Sequence, residues 1–130
     1  MRIQLILFLS LLALPATAQD IEEGAEAFAN HCAGCHGEAA DGAGPMAALL
    51  RVAPADLTRL AVENGGAFPL ARVIARIDGT TEVMAHGGPM PLFGILMQGP
   101  SVSTVSPDGR EIVAPEVIVG IAEWLATVQR

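Results

Sequence analysis

Cys32, Cys35 and His36 are the residues of this sequence whose types and spacing point to chemistry. They stand in the run Cys32-Ala33-Gly34-Cys35-His36, two thiols three apart with an imidazole directly after the second. That spacing suits covalent attachment of a c-type haem. The sulfurs form thioether bonds to the two vinyl groups on one edge of the porphyrin. The turn between them then brings the next side chain under the ring, where an imidazole nitrogen can ligate iron. Other uses of a Cys-x-x-Cys pair need more than the chain offers. Thioredoxin-like chemistry needs a βαβ context, and no strand pattern precedes Cys32. A structural zinc site needs four ligands in tetrahedral array, and there is no second cysteine pair. His31, Cys32, Cys35 and His36 are too crowded in sequence to close one easily. His31 itself reads as a surface or turn residue.

A haem iron has a second axial face, and Met46, Met84, His86, Met90 and Met97 all follow the motif. Met46 comes too soon after the loop that should support His36. Met97 ends the apolar run Leu92 to Met97 and is expected in the core. Met84 has no proline beside it, and His86 is followed by Gly87 and Gly88, which leave its backbone loose. Met90 stands between Pro89 and Pro91, whose fixed φ holds the sulfur with little entropy left to lose. Its loop, His86 to Gly94, is rich in glycine and proline yet carries Met90, Leu92 and Phe93. Such a loop makes sense against a flat apolar ligand, presenting a soft thioether to iron. Met90 is the expected distal ligand and His86 its rival.

The elements that must position these residues read as helices. Asp20 and Glu23 form a capping-box pattern for a first helix, in which Gly24 and Phe28 share a face one turn apart. Gly37 to Gly44 is a loop. A short helical stretch is expected over 56–63, between Pro54 and Asn64-Gly65-Gly66. Leu70, Val73, Ile74 and Ile77 make a clean apolar stripe that Gly79 ends, with Arg72 and Arg76 on the other side. Val102 and Val105 before Ser106-Pro107-Asp108-Gly109, with Ile112 and Val113 after it, spell a short hairpin. Pro115 starts the last helix, whose apolar face is Val117, Ile121, Trp124, Leu125 and Val128.

Residues 1–18 read as an export signal: Arg2, an apolar run from Ile3 to Leu14, and the small-residue site Ala16-Thr17-Ala18. The run is short for a bilayer span. Residues 19–130 then form one domain, beginning at Gln19 and working in the periplasm, with no stable membrane insertion. The net charge is -7 and all seven basic residues are arginines. That balance argues against nucleic acid and anionic lipid as partners. Both cysteines belong to the motif, so no disulfide framework is available.

Taken together, the chain resembles the class I cytochrome c family, on Gly24 and Phe28, the Cys-x-x-Cys-His run, Pro45, Met90-Pro91 and a closing helix with Trp124. The resemblance implies an all-α fold whose first and last helices cross beside one covalently bound haem c. The hairpin before the last helix is an insertion relative to the smallest members. It implies His36 as the proximal ligand, Met90 as the distal one, and the Pro45 carbonyl holding the second nitrogen of His36. The haem-edge lysines of the mitochondrial relatives are absent, so their partner preferences do not carry over. The expected function is non-enzymatic electron transfer by a mono-haem protein that docks with a donor and an acceptor. Two alternatives are an electron-transfer subunit of a larger oxidoreductase and, with an open distal position, a haem enzyme or gas sensor.

Overall fold

The computed structural model describes residues 16–80 and 90–130. The apolar run of the expected signal, Met84, His86 and Pro89 lie outside those residues. Helix α1 covers Ala16–His31, so Asp20 lies inside the helix and does not cap it. The reason is local: alanine at 16 and 18 and glutamine at 19 are good helix formers, and nothing there ends the helix. The expected cleavage point between Ala18 and Gln19 falls within this helix.

Helix α5, Glu116–Thr127, packs along α1. The two backbones touch at their glycines: a Cβ at position 24 would come within 2.1 Å of the Gly120 carbonyl oxygen. One turn further on, the Phe28 and Trp124 rings meet with centroids 4.5 Å apart and planes inclined at 40°, at the short end of the separations over which aromatic rings attract. Phe28, Ile118 and Ile121 are the largest fully buried side chains among the described residues. The buried face of α5 therefore turns further toward Ile118 and Ala122 than its sequence suggests, leaving Val117, Trp124 and Val128 half-buried on its flanks. Helix α5 is apolar nearly all round because it is covered on several sides, by α1, by α4 and by the hairpin.

Helix α4 spans Leu70–Asp78 and buries Leu70, Val73, Ile74 and Ile77, as its stripe requires. Gly79 ends it in the left-handed conformation (φ 85°), its N–H donating to the Ala75 carbonyl. Before it, a 3₁₀ turn over Leu57–Arg59 runs into the four-residue α3, Leu60–Glu63. Asp56 caps this pair, its carboxylate accepting the Thr58 N–H at 3.0 Å.

Strands β1, Ser101–Val105, and β2, Glu111–Pro115, form the expected hairpin, paired antiparallel from Ser101↔Pro115 to Val105↔Glu111. The turn closes through Ser106, whose N–H donates to the Arg110 carbonyl at 2.9 Å while its own carbonyl accepts from Gly109 at 2.8 Å. Val102, Ile112 and Ala114 face the core, and Val105 and Val113 face out. Inner residues of the hairpin thus cover α4 and α5, as a two-stranded ribbon must to be stable.

Candidate haem site

The motif lies on one turn of helix carried by α1. The Cys32 N–H donates to the Phe28 carbonyl at 2.8 Å and the His36 N–H to the Cys32 carbonyl at 2.9 Å. The helical path therefore continues into α2, Ala33–His36. Cys32 and His36, four apart, sit one above the other. Cys32 is buried, and Cys35 and His36 are half-buried. Burial first, and Cys35 beside it second, push the Cys32 thiol up to about 11. That burial favours the neutral sulfur over a thiolate.

Two loops close round this turn. Residues 44–46 run back along it, the Gly44 and Met46 N–H groups donating to the Cys35 and Gly34 carbonyls at 3.1 and 2.9 Å. Residues 54–56 approach the imidazole, and His36 Nδ1 lies 3.0 Å from the Ala55 carbonyl oxygen. A carbonyl oxygen can only accept, so Nδ1 carries the proton and Nε2 keeps its lone pair for a metal. The carbonyl expected in this place was that of Pro45. The correction has a plain cause. The 44–46 backbone turns its N–H groups toward the motif's carbonyls, and Pro45 itself is exposed. Asp56 and the Leu57 N–H, which donates to the Ala40 carbonyl at 2.8 Å, hold the 54–57 segment against the imidazole instead.

Met90 is half-buried and packs against the core. The loop that follows it lies on the end of α4: the Phe93 N–H donates to the Ile77 carbonyl at 3.1 Å. Gly94 comes so close that a Cβ there would meet the Asp78 carbonyl oxygen at 2.1 Å. Met97 is buried, as expected, although Ile95 and Leu96 in the same run are exposed. Met46 is exposed beside Gly34, and His31 is on the surface.

A family model for cytochrome c matches residues 21–114. The chain belongs to the cytochrome c family. No curated protein and no solved structure matches it. The matched stretch takes in the motif, Met90 and nearly all of the hairpin, and it ends just before α5.

Membership gives this cytochrome a covalently bound haem c with its iron, and the residues present fit that group. Cys32, Cys35 and His36 stand on one turn, with His36 held by one nitrogen and free at the other. Exposed apolar side chains, Met46, Leu49 and Leu50, flank the turn. Among the described residues no cluster of three or more His, Cys, Asp or Glu side chains could hold a metal ion directly. No described helix is long and apolar enough to cross a membrane.

The sequence alone did not single out Ala55, Asp56 or Thr58 as parts of the site. Asp56-Leu57-Thr58 does carry a signal, an N-cap aspartate two residues before the N–H it accepts. Ala55 carries none, because its contribution is a backbone carbonyl that any residue has.

Proposed function

We propose that this cytochrome is a periplasmic mono-haem electron-transfer protein, with thioether links at Cys32 and Cys35 and with His36 and Met90 as axial ligands. The observation that carries the proposal is the His36 imidazole, which follows the two thiols and is fixed at Nδ1 by the Ala55 carbonyl. Haem c supplies a one-electron couple between ferric and ferrous iron. The chain's own part is to keep both ligands in place in either state, so that little reorganises when the electron moves. The Ala55 hydrogen bond holds the imidazole ring at one orientation and makes Nε2 more basic. Docking of the 90–97 loop on α4 holds the methionine, and a thioether opposite an imidazole raises the potential. The family match fits a carrier.

The test is spectroscopic. Oxidised protein should show the weak sulfur-to-iron charge-transfer band and take up carbon monoxide poorly. Met90→Ala should lose the band and bind carbon monoxide readily, while His86→Ala keeps the band. A Met90→Ala protein that stays low-spin, together with a His86→Ala protein that does not, would transfer the distal role to His86. Avid carbon monoxide binding by the wild type would favour the haem enzyme or gas sensor. Export is tested by mass: the periplasmic protein should begin at Gln19, and a chain retaining residues 1–18 would replace cleavage by anchoring.

A further inference from the structure

We infer that Gln129 is a positioning residue for the His36 imidazole, acting through the 55–61 segment that carries the Ala55 carbonyl. The inference rests on His36 as an iron ligand. The Gln129 amide joins the last turn of α5 to that segment at Leu57 and Ala61. Its Oε1 accepts the Ala61 N–H at 2.9 Å. Its Nε2 donates to the Leu57 carbonyl at 2.8 Å and to the Leu125 carbonyl, also at 2.8 Å. Both amide protons and the carbonyl are therefore in use, and the side chain has one arrangement that satisfies them. Next to it, the Arg130 N–H donates to the Thr58 carbonyl at 2.9 Å. The Arg130 guanidinium lies 3.5 Å from the Asp56 carboxylate, one residue from Ala55.

These bonds close a circuit. Helix α1 runs through Cys32 into α2, which carries His36; His36 meets Ala55; the 57–61 backbone is tied by Gln129 to α5; and α5 is locked to α1 where Gly24 meets Gly120. The distance from His36 Nδ1 to the Ala55 oxygen is thus set by how α5 is docked as well as by the loop that contains Ala55. A surface loop held only by its own turns would let that hydrogen bond lengthen and shorten. Here residues more than sixty positions further along the chain brace it. The Nδ1 hydrogen bond makes the imidazole a better donor to iron and favours the ferric state. A looser bond therefore shifts the equilibrium toward ferrous.

The experiment uses the haem-loaded protein. Gln129→Met keeps the length and volume of the side chain and removes all three amide hydrogen bonds. It should raise the midpoint potential, by no more than a tenfold change in the one-electron equilibrium (about 59 mV). It should also speed exchange of the iron-shifted His36 Nδ1–H resonance severalfold. Gln129→Asn, shorter by one methylene and gentler on folding, should move both readouts the same way. Thr127→Ala is the control. It deletes the bond from Thr127 Oγ1 to the Trp124 carbonyl, 2.7 Å long and at the same end of α5, and should lower the melting point with neither readout moved. Unchanged potential and exchange in both Gln129 variants would overturn the inference, as would equal shifts in Thr127→Ala. Failure of the ligand assignment reads differently: the wild type itself would then lack an iron-shifted histidine ring proton, and both conclusions would fall.

Discussion

A neutral imidazole offers iron one nitrogen while the other donates a hydrogen bond, and at His36 the Ala55 carbonyl decides which is which. The residue beside Ala55 makes that arrangement sensitive to acid. The Asp56 carboxyl is held below the usual carboxylate range, first by the Thr58 hydroxyl, with further help from the Thr58 N–H and Arg130 and some opposition from desolvation. A depressed value means that folding favours the ionised form. The stabilisation is complete above the unfolded value, near 4, and is lost as pH falls through the lower folded value. Asp56→Asn can still accept the Thr58 N–H but has no charge to lose. Its thermal midpoint should fall less steeply than the wild type's below about pH 4. Part of the slope should remain, because Asp108, held down by Ser106 and then by Arg110, acts with the same sign. An unchanged slope would remove Asp56 from the acid response. At this scale legibility followed side chains. Cys32, Cys35 and His36 could be singled out as candidates because each offers an atom that only its type supplies, and the structure sets them on one turn. The Ala55 carbonyl could not be, and Pro45 was named where the fold uses Ala55.

At the scale of elements, the contact between α1 and α5 limits what position 24 can be. A Cβ there would lie 2.1 Å from the Gly120 oxygen, a backbone atom with no rotamer to move out of the way. Gly24→Ala must therefore push the helices apart, loosening Phe28 against Trp124 as it does so. The expected cost is on the order of 3 kcal/mol, read as a lower urea midpoint. Gly99→Ala, where nothing lies within 4 Å of the new Cβ, should be close to neutral. Equal midpoints for the two variants would mean that the helices do not need this close approach. Helix α4 was legible in its buried face and its end, because a narrow stripe of period 3.6 meets a glycine stop. The α5 face was less so: an almost wholly apolar helix has little periodicity to read, and its orientation is decided by α1, α4 and the hairpin together. The expected cap at Asp20 failed for a different reason. A capping pattern at Asp20 says where a helix could begin, and the residues before it were equally able to continue one. The hairpin was found from its turn. That Val102, Ile112 and Ala114 are its inner side chains depends on how it lies on α4 and α5, which the turn does not specify.

For the whole molecule, charge is the property most directly tied to partners. The chain carries -7 and no lysine, and loss of residues 1–18, which contain Arg2, would leave it one unit more negative. The helices contribute to this directly: Glu22, Glu23 and Glu26 are exposed on α1 and Glu116 at the start of α5. Beside the motif the character changes, with Met46, Leu49, Leu50 and Val52 exposed and Arg51 among them. A partner with a basic face would be drawn in by the overall field and oriented before contact, and dissolved salt would weaken that attraction over a Debye length of about 8 Å at physiological ionic strength. The second-order rate of electron transfer with such a partner should therefore fall as salt is added, by roughly tenfold between 10 mM and 200 mM if steering dominates. The measurement is stopped-flow reduction by the purified partner across that range, with a small neutral reductant as the control, whose rate should stay flat. A partner rate that climbs with salt would mean that two acidic surfaces meet and that screening removes their repulsion. Docking would then depend on the apolar stretch beside the motif rather than on the field of the molecule.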